Sequence, residues 1–77
     1  MVKVYHDVHK YHIRVNIEMK VIALKKLLIQ QIPELKNRTA DQIEVMSGGF
    51  FLTEDTSSLK RNKINMYSKL LVKVKKI

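Results

Sequence analysis

The sequence predicts one α+β domain, in which a mixed β-sheet of four to five strands carries one helix across one face. Two observations predict this class. Apolar and polar residues alternate in short segments near both ends of the chain, which is typical of half-buried strands. Between these segments the apolar spacing changes to that of a helix with one buried face. With 77 residues, the chain has room for a single domain, residues 1–77, and a small core.

The composition excludes several classes of protein. The 15 Lys and Arg residues outnumber the 7 Asp and Glu residues, which gives a net charge of +8. A hydrophobic content of 45% is too high for a disordered tail. Because the chain has no cysteine, disulfides, thiolate metal sites and cysteine nucleophiles are excluded. The longest apolar run is the four residues 21–24, and no signal-peptide pattern is present, so we expect a cytoplasmic or nuclear protein that does not bind membranes.

The first two strands are expected to form a hairpin that begins at Met1. Val2 and Val4 alternate with Lys3 and Tyr5, and residues 6–10 contain the turn. The alternation then returns at four apolar positions, Tyr11, Ile13, Val15 and Ile17.

A helix is predicted from about Met19 to about Gln31. The core stripe of this helix follows the i, i+3, i+7 spacing at Val21, Leu24 and Leu28. Pro33 disfavours the helical conformation for the residue before it, so the helix is expected to end there. Residues 34–40 are predicted to form a polar loop.

Three more strands are predicted after this loop. Residues 42–46 form the third strand, with Ile43 and Val45 pointing inward, and Ser47-Gly48-Gly49 breaks it. Residues 50–52 form a very short fourth strand, and the last strand covers residues 69–75.

The two phenylalanines, Phe50 and Phe51, allow two interpretations. We expect one to fill the core and the other to be exposed; the alternative is a small hydrophobic contact site.

The order of strand, strand, helix, strand, short strand, strand is that of the β-grasp fold. The helix covers one face of the sheet, and the first and last strands lie side by side in the middle. The opposite face stays in solvent, which explains the alternation. The predicted core is aliphatic and consists of Val2, Val4, Ile13, Val15, Val21, Leu24, Leu28, Ile43, Val45, Leu59, Ile64, Leu70, Val72 and Val74.

Five motifs occur along the chain in a characteristic order, namely Val21-x-x-Leu24-Lys25-x-x-Leu28, Ile32-Pro33, Asp41-Gln42-x-x-Val45, Ser47-Gly48-Gly49 and Leu59-x4-Ile64 followed by Leu70-x-Val72-x-Val74. In the order and spacing of these motifs, the chain resembles ubiquitin-like domains over essentially its whole length. The loop after the helix and the stretch from residue 50 to residue 58 are longer than in the family. The resemblance implies a ubiquitin-like β-grasp fold.

The resemblance also bears on conjugation. Family members that are conjugated need a free C-terminal Gly-Gly, whereas this sequence ends in Val74-Lys75-Lys76-Ile77. We therefore expect a non-conjugated domain, at the N-terminus of a larger protein of the ubiquitin–proteasome or chaperone system. Domains of this kind occur in proteasome shuttles, in Hsp70 co-chaperones of the BAG type, in ubiquitin proteases and in splicing factors.

The open face of the sheet is the candidate binding site, because ubiquitin carries its apolar patch there. The matching positions are approximately Val8, Glu44 and Lys73, with Leu71 beside the last. Burying two unpaired charges under an apolar helix is costly, so we predict weak or no binding to ordinary ubiquitin receptors. We interpret Glu44 and Lys73 as a cross-strand surface pair of little energetic value.

In place of an apolar patch, the sequence predicts a basic face. We expect this face to dock a protein partner with an acidic surface. The predicted partner-binding residues are Lys3, Tyr5, Arg14, Glu44, Leu71, Lys73 and Lys75, with His12 beside them.

Two alternatives remain open at this point. One is an RNA-binding ubiquitin-like domain like those of some splicing factors, which would use charge and stacking. The other is a PB1-like domain, also of β-grasp fold, for which Lys3 would supply the basic first-strand lysine. We rank an acidic protein surface ahead of nucleic acid.

The sequence contains no pattern that points to catalysis. It has no phosphate-binding glycine loop and no nucleophile with supporting context. His6, His9 and His12 recur every three residues, a spacing that alternates faces in an extended chain, so they are not expected to converge on a metal. We therefore expect a monomeric non-enzyme without metal or cofactor.

Overall fold

In the computed structural model, the chain forms one five-stranded mixed sheet with a helix packed across one face. The structure describes residues 2–6, 8–65 and 67–75, so Met1, the predicted start of the first strand, lies outside the described residues. The elements are β1 (Val2–His6), β2 (His9–Ile13), α1 (Val21–Gln31), β3 (Ile43–Ser47), β4 (Phe50–Phe51) and β5 (Lys69–Val74). Among the described residues, no helix is long and apolar enough to cross a membrane.

The strand order β2-β1-β5-β3-β4 confirms that the first and last strands are neighbours in the middle of the sheet. β1 runs parallel to β5, with Val4 opposite Leu70. β3 runs antiparallel to β5, with Val45 opposite Val72. The edges of the sheet are β2 on one side and the two-residue β4 on the other.

The second strand is shorter than predicted. β2 ends at Ile13, so the prediction that it continues to Ile17 is wrong. Asn16 explains the early end, because its side-chain oxygen accepts a hydrogen bond from the Glu18 N–H at 2.9 Å and its carbonyl accepts one from the Met19 N–H at 2.9 Å. An asparagine that bonds the backbone two residues on forms a turn instead of a strand.

The helix is bounded largely as predicted. It ends before Ile32, which is extended with φ −104° and ψ 112° because Pro33 follows it. Its N-terminus has no side-chain cap. Instead, the carbonyls of Ser57 and Asp55 accept hydrogen bonds from the N–H groups of Val21 and Ile22 at 2.9 and 3.0 Å. The loop after β4 therefore satisfies donors that a helix start leaves unpaired.

The core lies between α1 and the sheet, and its large side chains are aliphatic. All of the predicted core residues are buried except Val15 and Val74, which are partly buried and pack against the cluster. The core also contains three buried hydrophobic residues outside the predicted set, namely Ile32, Leu35 and Leu52, of which Ile32 extends the apolar stripe of the helix. Leu35 reaches the core because the predicted polar loop begins with a short 3₁₀ helix, Pro33–Leu35.

Candidate interaction face of the sheet

One row of apolar side chains crosses the open face of the sheet. The strand register places Tyr5 opposite Leu71, Leu71 opposite Met46, and Met46 opposite Phe51. All four alternate with buried core residues and so point away from the helix. Directly opposed residues lie close enough for their side chains to touch, about 4.5–5.5 Å between Cβ atoms. We call these four residues the apolar row.

Cationic residues flank the apolar row on the same face. On one side, Lys3 lies between His12 and Lys69 in the register. At the β2 end of the row, Lys10 is opposite Tyr5. On the other side, Lys73 is opposite Glu44, which is the one acid among the outward positions of the described strands. The open face is therefore an apolar strip with mainly positive borders.

Five of the seven predicted partner-binding residues share this face, namely Lys3, Tyr5, Glu44, Leu71 and Lys73. The other two are exposed but lie beyond the strands, because Arg14 follows the end of β2 and Lys75 follows the end of β5. The Lys75 N–H still donates to the Gln42 carbonyl at 2.8 Å, which keeps the chain beside β3. Whether these residues bind a partner stays a prediction.

The structure corrects the choice of the central residue on the third strand. Both Glu44 and Met46 point outward, but only Met46 is in line with Leu71. The interpretation that charge replaces the apolar centre is therefore wrong, because the centre holds Met46 and Leu71. Sequence reasoning missed Met46 and Phe51, since alternation shows which residues point outward but not which of them meet across strands.

The expected surface pair between Glu44 and Lys73 is not formed. The two residues are directly opposite each other, yet the ion pairs within 4.0 Å in the described part of the chain are His9–Glu34 and Lys25–Asp55. Lys73 is thus available to an external carboxylate. Val8, the third position matched to ubiquitin's patch, is 89% exposed in the β1–β2 turn.

Two of the three histidines converge near a glutamate on the helix side of the hairpin. His6 is opposite His9, and the His9 Nε2 lies 3.5 Å from the Glu34 Oε1. The Tyr11 hydroxyl donates to the Glu34 Oε2 at 2.8 Å. That hydrogen bond is the main cause that lowers the pKa of Glu34, and it raises the pKa of Tyr11.

The positions of the three histidines bear on metal binding. His12 lies on the opposite face of the hairpin, across from Lys3. Within residues 2–6, 8–65 and 67–75, no group of three or more His, Cys, Asp or Glu side chains is arranged to hold a metal ion. The Glu34 contacts instead fasten β2 to the 3₁₀ helix Pro33–Leu35.

Solved structures of ubiquitin-like domains are similar to this chain. One is the N-terminal ubiquitin-like domain in the 4931431F19Rik protein, with a TM-score of 0.84 and 20% sequence identity. The match covers 99% of this chain and 74% of the other chain. Another is the ubiquitin-like domain of Arabidopsis thaliana protein At2g32350, with a TM-score of 0.79 and 22% sequence identity. This match covers 99% of this chain and 77% of the other chain. A third match is ATBAG1, solved in complex with HSP70, with a TM-score of 0.83 and 13% sequence identity. This match covers 99% of this chain and 40% of the ATBAG1 chain.

These likenesses define the class of fold. No family model matches the sequence, and no curated protein does so either. The strand order, the helix across one face and the similar structures together show the ubiquitin-like β-grasp fold that the sequence predicted.

Proposed function

We propose that this chain is a non-conjugated ubiquitin-like interaction domain that docks a protein partner on the open face of its sheet. The observation that carries the proposal is the apolar row between cationic borders. Phe51 is exposed and the other three residues of the row are partly exposed, and a contiguous apolar strip with a polar rim is typical of protein interaction sites. The fitting partner is a segment whose apolar side chains cover the row and whose carboxylates meet the lysines.

The cations and the apolar row have different roles in this proposal. Lys3, Lys69 and Lys73 attract an acidic segment and orient it, which mainly raises the association rate. Burial of Leu71 and Met46 supplies affinity, at about 25 cal/mol per Å² of apolar surface before the costs of association are subtracted. The affinity is therefore expected to fall with salt without disappearing.

The wider setting of the domain is also part of the proposal. We place it at the N-terminus of a larger cytoplasmic or nuclear protein of the ubiquitin–proteasome or chaperone system, and we regard it as a non-enzyme. The similarity to an N-terminal ubiquitin-like domain and to ATBAG1, which was solved in complex with HSP70, supports the choice of protein class.

RNA is the second candidate for the same face. Tyr5 lies beside Lys10 and in line with Phe51, and aromatic rings next to lysines suit single-stranded RNA. Between the two rings, however, the row holds Leu71 and Met46, which offer no stacking surface. An acidic protein segment therefore fits the whole row better than a run of bases.

The test is a titration of the ¹⁵N-labelled chain, followed by NMR shifts. The probes are an acidic amphipathic helical peptide and oligo-uridylate RNA. Met46→Ser and Lys73→Glu should each weaken peptide binding about tenfold or more. Lys26→Glu, an equal charge change at an exposed helix position, is the matched control and should leave binding nearly unchanged.

Three results would count against the proposal. Shifts confined to α1 around Ile22 and Ile29 would show that the open face is the wrong surface. Tighter binding of the RNA than of the peptide would favour the second candidate. A salt-sensitive head-to-tail complex that Lys3→Ala abolishes, with no effect of Met46→Ser, would favour a PB1-like domain.

A further inference from the structure

Both phenylalanines of the chain lie outside the core, at the β4 edge of the sheet. Phe50 is 76% exposed and Phe51 is 49% exposed, whereas the large buried side chains are aliphatic. The expectation that one of them fills the core is wrong, because Leu52 does so. Two adjacent exposed aromatic rings in a small domain are unusual enough to need an explanation.

Both residues border a notch of about 320 Å³ at this edge, and because successive strand residues point to opposite faces, the Phe50 side chain lies on the helix side and the Phe51 side chain on the open face. The notch is lined by Ser47, Phe50, Phe51, Leu52, Arg61, Asn62 and Lys63. We propose that this notch is a second binding site, which accepts a short acidic peptide segment carrying one aromatic or large aliphatic side chain. In this arrangement the apolar side chain packs against the Phe50 ring, and its flanking carboxylates meet Arg61 and Lys63.

The segment that carries the two phenylalanines is held in place although it is exposed. Gly48 and Gly49 have φ +57° and +88°, which suits the two-residue turn that joins β3 to β4. After β4, the Leu52 N–H donates to the Val45 carbonyl at 2.8 Å, and the Leu52 side chain is buried. The backbone that carries the two phenylalanines is thus held on both sides along the chain, which lowers the backbone entropy lost on binding.

The basic wall is a turn that is tied down by its own hydrogen bonds. The Asn62 side-chain amide donates to the Ser57 hydroxyl at 2.8 Å and to the Ser58 carbonyl at 2.7 Å. The Arg61 N–H donates to the Ser58 hydroxyl at 3.0 Å. Lys63 has φ +62°, a conformation that L residues seldom adopt and that recurs at functional sites. This turn presents its two cations from a fixed backbone.

The charges at the notch favour an acidic ligand. Among the described residues, neither Arg61 nor Lys63 takes part in an ion pair, and Asp55, which lies in the chain between β4 and the basic turn, is already bound to Lys25. An Arg guanidinium can bind a carboxylate with two parallel hydrogen bonds and can also stack on an aromatic ring. Arg61 beside the rings therefore suits a ligand that offers both groups.

A short peptide fits this notch better than a long polyanion or a second copy of the chain. An extended nucleic acid needs a long basic groove along its backbone, whereas the notch offers only Arg61 and Lys63, and residues 39–58 on either side of β4 carry no base. A second copy packed symmetrically would bring Arg61 and Lys63 against themselves. Two cations on one wall match a ligand with a few carboxylates.

This site is distinct from the open face described above. Phe51 borders both surfaces, but Phe50, Arg61 and Lys63 line only the notch, and Tyr5 and Leu71 lie only in the apolar row. A loss of binding at the notch can therefore be distinguished from a loss of binding at the open face, because each surface has residues that only its own variants change.

The experiment is a ¹⁵N titration of the 77-residue chain with a synthetic pentapeptide that has phenylalanine between two pairs of aspartates. One control peptide replaces each aspartate with asparagine, and another replaces the phenylalanine with alanine. We expect shifts at residues 47–52 and 61–63, and at least tenfold weaker binding of both control peptides. Phe50→Ala and Arg61→Glu should each weaken binding at least tenfold. Lys60→Glu, the same charge reversal at the adjacent exposed residue, should change it less than twofold.

Several outcomes would overturn the proposal. Equal losses in Arg61→Glu and Lys60→Glu would mean that the peptide responds only to net charge. Shifts confined to Tyr5 and Leu71 would assign the peptide to the open face and leave the notch without a ligand. Tighter binding of oligo-uridylate than of the peptide at residues 47–52 would assign the notch to nucleic acid. Sedimentation that shows a dimer lost in Phe50→Ala would make the rings a self-association contact.

Discussion

The buried ion pair between Lys25 and Asp55 leads to the sharpest prediction about stability. Lys25 lies in the middle of α1, its side chain is only 7% exposed, and its Nζ is 2.8 Å from the Asp55 Oδ1. Asp55 belongs to the loop after β4, so the pair joins the helix to that loop. We expect Asp55→Asn to destabilise the fold, because it leaves a buried ammonium without a counter-charge.

The magnitude follows from the burial of the two partners. Breaking a fully buried pair costs about 3–5 kcal/mol. The Asp55 side chain is 44% exposed, so water screens the pair and compensates part of the loss. We therefore expect a loss of about 2 kcal/mol in the free energy of unfolding, below the range for fully buried pairs. A chain of this length has about 4–12 kcal/mol in total, so the variant still folds.

The matched variant is Lys25→Met, which removes the charge and keeps most of the volume. Replacing the lysine by an apolar residue leaves no buried ion, so we expect a change within about 1 kcal/mol. In the Lys25→Met background, Asp55→Asn should then cost almost nothing. The double-mutant cycle thus isolates the pair from the backbone contact that Asp55 also makes with Ile22.

Urea denaturation followed by circular dichroism at 222 nm measures these changes, since the chain has no tryptophan to serve as a fluorescent probe. In thermal melts, Asp55→Asn should lower the Tm by about 8–16 °C, at about 4–8 °C per kcal/mol for a domain of this size. The reasoning is refuted if Asp55→Asn lowers the free energy of unfolding by the same amount in the wild type and in the Lys25→Met background. It also fails if Lys25→Met is as damaging as Asp55→Asn.

Three further predictions concern the β1–β2 hairpin, the β3–β4 turn and the core. Tyr11→Phe removes the main cause of the lowered pKa of Glu34, so the pKa of this carboxyl, followed by ¹³C NMR, should rise toward the ordinary value for glutamate. In the wild type this contact stabilises the fold above the pKa of glutamate in the unfolded chain, and the stabilisation is lost as the pH falls through the lower pKa of the folded state; an unchanged pKa would refute the assignment. Gly49→Ala, at φ +88°, should cost about 1 kcal/mol in urea denaturation, and no loss would contradict the left-handed turn. Leu35→Ala should cost about 2–5 kcal/mol, whereas a cost below about 0.5 kcal/mol would show that the 3₁₀ helix is not part of the core.

The open face shows which features of the candidate site can be predicted from the sequence. Alternation alone placed Lys3, Tyr5, Leu71 and Lys73 outward, and the structure agrees. The character of the face nevertheless differs from the prediction, because Met46, and not Glu44, is the neighbour of Leu71. A shift of two residues in the register between β3 and β5 keeps every side chain on its face, so the pattern contains no information that distinguishes the two pairings.

The notch shows a second kind of limit. The phenylalanines were expected to follow the hydrophobic preference for the core, but the core position after β4 belongs to Leu52. In a strand of two residues, the alternation is too short to assign faces. The basic wall of the notch lies about ten residues further along the chain, and only folding brings it beside the rings.

The sequence by itself determined the strands and the helix, most of the core and the class of fold, because each depends on local periodicity and on motif order. The extended residue before Pro33 and the positive φ of Gly48 follow from the same local rules. Tertiary structure decided the apolar row, the notch, the Glu34 contacts and the burial of Lys25. Each of these joins residues that are distant in sequence, and their meeting is set by strand register and loop path, which local preferences do not specify.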